Sequence, residues 1–142
     1  MSIESQIEDA LKTLVSDGTF SIEEIVYAEK VFGNIFVHLK SRGQIDIRFI
    51  SDRGAFLCQI GCCGEWHFIE DVFQVIGIKY NMPIKNNMLN SQEFVDMVAD
   101  VSPVIKNNIA QIFQAFDAQH YKCTHEKLEL IESDRARKMF NL

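Results

Sequence analysis

Apolar positions repeat along this chain with two periods, close to 3.6 near its ends and 2 in its middle. In residues 3–16, Ile3, Ile7, Leu11 and Leu14 fall at i, i+4, i+8 and i+11. That is one stripe of an amphipathic helix, with Glu4, Glu8 and Asp9 towards its positive end and Asp17-Gly18 as its stop. Residues 20–31 fit two readings. Ser21 with Glu24 matches a capping box, whereas Ile22, Ile25 and Val26 suit a strand. The reading adopted is a strand over 25–31, because alternating segments follow at once.

Residues 34–40 alternate, with Ile35, Val37 and Leu39 on one face and Phe36, His38 and Lys40 on the other. After the turn Ser41-Arg42-Gly43, Ile45, Ile47 and Phe49 oppose Asp46 and Arg48. Ser51-Asp52-Arg53-Gly54 turns again, and 55–60 set Phe56, Cys58 and Ile60 against Leu57 and Gln59. Loops this short predict an antiparallel meander. Gly61-Cys62-Cys63-Gly64 then ends the sheet, and Ile69, Val72, Phe73 and Ile76 predict a helix over 66–76, stopped by Gly77.

Residues 79–90, polar and Asn-rich with Pro83 inside, read as a long loop. Asn90 with Glu93 predicts a capped helix over 91–100, and Ser102-Pro103 the N-cap and first position of another. That helix continues through Ile105, Ile109, Ile112, Phe113 and Phe116. A last, sparsely apolar helix covers 124–139. The expected fold is a single α+β domain over 1–142. A three- to four-stranded antiparallel meander packs with an N-terminal helix and three to four C-terminal helices.

Composition narrows the function. The 142 residues are 47% hydrophobic with 11 Phe, enough for a core without staples. The net charge is −6, so the basic footprint of a nucleic-acid binder is missing, and a basic protein partner is favoured instead. Met1-Ser2-Ile3-Glu4-Ser5 does not read as a signal peptide, and no apolar run nears a membrane span of about 20 residues. The expected compartment is the cytoplasm, with Cys58, Cys62, Cys63 and Cys123 as free thiols.

The candidate chemistry is sparse. Cys62, Cys63, His67, Cys123 and His125 are soft ligands, but their spacing matches no zinc knuckle, so neither metal nor cofactor is expected. A nucleophilic Cys would need one of His38, His67, His120 or His125 beside it in space, and no nucleophile signature surrounds any Cys. Asp52-Arg53 could grip a phosphate or carboxylate, but its place in a turn favours a structural role. No phosphate-binding, dinucleotide, zincin or serine-hydrolase motif occurs, so no enzyme is expected. Acidic residues remain: Glu65, Glu70 and Asp71 around the post-sheet helix, Asp96 and Asp100 one turn apart on the next, and Glu126, Glu129, Glu132 and Asp134 on the last. They are either ordinary solvated helix faces or a docking surface.

Phe32-Gly33-Asn34 before a strand, an alternating strand over Ile45–Ile50, Asp52-Arg53-Gly54 and then Trp66 form a recurring pattern. Over residues 25–77 the chain resembles small bacterial immunity proteins of polymorphic toxin systems, including contact-dependent growth inhibition. The Cys-rich turn and the segment from 90 onward depart from that pattern. The resemblance implies a non-enzymatic inhibitor that binds a cognate toxin C-terminal domain, often a nuclease. No binding residues transfer with the resemblance; the toxin-binding candidates come from the acidic clusters, as Glu65, Glu70, Asp71, Asp96 and Asp100. The alternative is a small ligand-binding or regulatory α+β module, possible as a dimer.

Overall fold

A computed structural model describes residues 1–82 and 88–140. Pro83 and its neighbours in the expected 79–90 loop lie outside the described residues. The chain is α+β, as the periodicities predict, but among the described residues the sheet has five antiparallel strands in sequential order and is joined by six helices.

The N-terminal stripe folds as two short helices, α1 (Ile3–Ala10) and α2 (Lys12–Val15), broken at Leu11. Ser2 caps α1 by accepting from the Ser5 amide. The break leaves the stripe intact, since Ile7, Leu11 and Leu14 are all fully buried. Strand β1 spans Phe20–Ala28, starting earlier than the expected 25–31. The helical alternative loses because β2 (Asn34–Ser41) lies one tight turn away and pairs along its whole length. The Ser21–Glu24 capping box therefore does not form, and Ser21 Oγ instead meets the Lys40 carbonyl. A bulge between Ile22 and Glu24 kinks this edge strand, a feature that discourages pairing with another chain.

β3 (Asp46–Asp52) and β4 (Ala55–Cys62) follow as predicted. The expected end of the sheet is not its end. Cys63-Gly64 makes a two-residue hairpin loop into a fifth strand, β5 (Glu65–Phe68), and helix α3 begins only at Ile69 and runs to Ile76. Cys63 and Gly64 have φ of 56° and 84°, the positive values that a type I′ turn demands at both central positions.

Helix α4 (Ser91–Asn107) carries the predicted Asn90–Glu93 capping box. It runs straight through Ser102-Pro103, where a new helix start is expected. Pro103 removes one backbone donor, while Ser102 is buried and gives its hydroxyl to the Val98 carbonyl. The next break comes at Asn108, before α5 (Ile109–Ala115); α6 spans Tyr121–Met139.

Alternation sorts the strands into two faces. Ile35, Val37, Leu39, Ile47, Phe49, Cys58 and Ile60 point inward and are buried against apolar residues of the helices, among them Phe73, Phe94, Val98, Ile105 and Ile112. α1 and α2 pack on α4 and β1, and α3 on β4, β5, α5 and α6. The opposite residues, Phe36, His38, Arg48, Ile50, Leu57 and Gln59, are only half-buried. No helix is long and apolar enough to cross a membrane among the described residues.

Asp17, at the turn into β1, ties the N-terminal helices to α4 through Lys106. The Lys106 ammonium, and after it Thr19, holds the Asp17 carboxyl well below the usual carboxylate range. A lowered folded-state pKa stabilises above the ordinary value of about 3.9 and loses that contribution as pH falls through it. Asp17→Asn is therefore expected to melt lower than wild type at pH 7, with the gap closing in thermal melts taken below about pH 4.

Candidate functional site

The uncovered sheet face carries one organised constellation. The register sets Lys40, Asp46, Gly61 and Trp66 in one cross-strand row, and His38, Arg48, Gln59 and Phe68 in the next. Trp66 lies flat across Gly61. A Cβ there would stand 2.7 Å from the indole, so only glycine leaves room for the ring. From that position Trp66 reaches the neighbouring row. The Arg48 guanidinium stacks 4.1 Å from the ring centroid, and the His38 ring meets the indole edge-on at 5.9 Å.

Each polar member of this face is held by a partner. His38 Nε2 lies 2.8 Å from Asp46 Oδ2, and Arg48 Nε donates to Gln59 Oε1. Burial lowers the Arg48 pKa from its ordinary value. Beside this platform lies an apolar row of Phe36, Ile50 and Leu57, with Val26 half-exposed on the edge strand. The arrangement is a preorganised, partly desolvated surface of the kind that recognises another molecule by stacking and charge.

The two corners that carry the resemblance meet at one end of the sheet. Asn34 Oδ1 accepts from the Arg53 amide at 2.8 Å, and the Arg53 guanidinium lies over the Phe32 ring at 5.3 Å. Phe32 and Arg53 both have left-handed φ, at 56° and 52°. Arg53 thus covers an aromatic ring, which agrees with the structural reading of Asp52-Arg53. Phe32 itself remains 74% exposed.

A second constellation forms between β5 and α6. Pleating turns Trp66 outward and Glu65 and His67 inward. His67 is buried, and its Nδ1 lies 2.7 Å from Glu132 Oε1. Its Nε2 lies 3.8 Å from Glu65 Oε2, which also stands 3.0 Å from His125 Nδ1. His125 Nε2 faces Glu129 Oε1 at 3.1 Å. Phe116 stacks on His67 and Tyr121 on His125. Burial, followed by the nearby Cys63 and Glu65, raises the Tyr121 hydroxyl pKa.

The structure divides the candidate residues from the sequence. Of the five soft ligands, His67 and His125 come together, but with Glu65 rather than with thiols. Cys62 and Cys63 face each other at 3.3 Å. Cys123 is exposed and lines a different groove with Gln111 and His120. Among the described residues no thiol hydrogen bonds to an imidazole. His120 pairs instead with Asp117, whose carboxyl it lowers.

The five acidic residues separate as well. Glu65 joins the two histidines, while Glu70 lies at the surface of α3, its pKa raised by partial desolvation from packed neighbours and then by Asp71. Asp96 and Asp100 are exposed on α4, which packs against other elements than α3 does. Asp71 leaves the surface altogether: it is buried under Arg135, whose pKa it raises, and its Oδ2 has no hydrogen-bond partner among the described residues. The sequence carries a signal for the platform in the polar residues that alternate with core positions in β2 to β4. It carries none for the pairing of α6 glutamates and Arg135 with residues more than 60 positions away.

Arg135→Met leaves a buried carboxylate unpaired and is expected to cost about 2 kcal/mol or more in urea unfolding, with Asp71→Asn in the same chain recovering part of it. The thiols offer a second check. Burial raises Cys58, and burial together with Cys63 pushes Cys62 up to about 12. Native alkylation with iodoacetamide should modify Cys63 and Cys123 first, with Cys58 and Cys62 reacting only on unfolding.

No protein-family model, no curated protein and no solved structure matches this chain.

Proposed function

We propose that this chain is an immunity protein: a non-enzymatic inhibitor that binds a cognate toxin C-terminal domain in the cell that makes both. The observation that carries the reading is the uncovered sheet face, where Arg48 is clamped between Trp66 and Gln59 beside an apolar row. Trp and Arg are among the residues enriched at the anchoring positions of protein–protein interfaces, where they fill desolvated pockets. Here both are fixed before any partner arrives, which lowers the cost of binding.

Two further features support the reading. The Phe32-Gly33-Asn34 and Asp52-Arg53-Gly54 corners, through which the chain resembles immunity proteins, are bonded to each other and form one unit. The net charge of −6 steers a basic partner, such as a nuclease with a substrate cleft for nucleic acid, towards the chain. In this reading Glu70, Asp96 and Asp100 contribute to that field from the helices, and the platform makes the contact.

Co-expression with the toxin domain encoded next to this chain tests the proposal. The expected result is a co-purifying complex that restores growth and weakens as salt rises. Arg48→Ala is expected to weaken it by about 30-fold, near 2 kcal/mol, and Glu8→Ala on α1 to leave it unchanged. Failure to co-purify or to rescue growth overturns the proposal, and an Arg48→Ala complex of unchanged affinity removes the sheet face from it.

A further inference from the structure

The second constellation is independent of the partner-binding face and has its own logic. Two imidazoles and one carboxylate converge: Glu65, His67 and His125 place one ligand atom each within 4.8 Å of one another. The outward nitrogen of each ring already faces a glutamate, Glu132 for His67 Nδ1 and Glu129 for His125 Nε2. In a neutral ring, a proton given to those glutamates leaves the inward nitrogen as a lone pair. Both inward nitrogens then point at the Glu65 carboxylate, which has no proton to offer when ionised.

His125 Nδ1 makes the mismatch visible. It is buried and lies 3.0 Å from Glu65 Oε2, yet the two do not align as a hydrogen bond, and the nitrogen has no other partner among the described residues. Lone pairs converging from three directions are what a divalent cation accepts. A carboxylate behind each ligating imidazole is also the common outer shell of zinc sites, where it sets the tautomer and raises ligand basicity.

We propose that Glu65, His67 and His125 bind a zinc-class divalent cation between β5 and α6. Two imidazole nitrogens and one carboxylate oxygen suit zinc in donor type, and tetrahedral bonds near 2.1 Å place ligand atoms about 3.4 Å apart. Side-chain movements of about an ångström close the present cluster to that spacing. Glu65 is exposed and His125 partly so, which puts the cluster at the border of solvent. The rings of Phe116 and Tyr121 wall the two histidines.

The consequence is structural. α6 buries only Thr124 and Leu128, and polar contacts join it to β5. A cation shared by β5 and α6 replaces the unaligned Glu65–His125 contact with two metal bonds. Zinc then stabilises the docked helix by mass action.

The test uses the full chain after treatment with a chelator. Zinc titrated by calorimetry is expected to bind one per chain and raise the melting temperature. Cobalt(II) is expected to show the visible bands of a tetrahedral site. His125→Ala and His67→Ala should abolish both, and His38→Ala, which removes a histidine outside the cluster, should leave both unchanged. Glu132→Gln should weaken binding by about 10- to 100-fold. Since His67 is buried, the His125→Ala variant, checked for a folded circular-dichroism spectrum, decides the matter if His67→Ala does not fold. The proposal is overturned if the wild-type chain binds neither cation, if His125→Ala binds as wild type does, or if binding is lost only on changing Cys62, Cys63 and Cys123 to serine. None of these outcomes bears on toxin binding, which is read by co-purification.

Discussion

The four-residue strand β5 is the constraint on which both candidate sites depend. Pleating sends alternate side chains to opposite faces, so one short strand supplies the indole of the open face and two ligands of the buried cluster. The strand exists because Cys63-Gly64 can take up two consecutive left-handed residues and return the chain alongside β4. Trp66 would otherwise start a helix, and neither constellation would form. Gly61 completes the device: its missing side chain is the seat of the Trp66 ring.

Helix α6 illustrates a different balance of forces. It spans 19 residues but offers little apolar surface to the core. Besides Leu128 in the core, its contacts include the polar pairs Arg135 with Asp71, Glu132 with His67, and His125 with Glu65. Such pairs carry a desolvation cost that offsets much of their attraction, so they specify where the helix docks more than they stabilise it. Elements held in this way respond most to pH, ions or a partner. The N-terminal helices are held differently, by a fully buried apolar stripe on α4, with the Asp17–Lys106 pair only at the rim.

The sheet face and the cluster sit back to back across β5. One presents a fixed cation over an aromatic ring to the outside; the other gathers lone pairs on the inside.

The sequence by itself determined whatever depends on near neighbours. Period-2 alternation in 34–60, the Asn90–Glu93 box and the Ile3–Leu14 stripe all reappear in the structure, because pleat, cap and helical face are set within a few residues. Two local signals misled. The 3.6-period set Ile69, Val72, Phe73, Ile76 extends backwards to Trp66 only on paper, since strand pairing with β4 wins at 65–68. Ser102-Pro103 resembles a helix start, but packing of Val101 and Ile105 carries α4 through it. Only the tertiary structure decided which charges are surface and which are buried. Asp71 and Asp96 look alike in sequence, yet one is buried beneath an arginine 64 positions away and the other is exposed to solvent. The partners of His67, His125 and Arg48 were likewise decided by how α6 and β5 come to lie against the meander. Contacts over such separations follow from the sum of core packing, and that sum leaves no local mark on the chain.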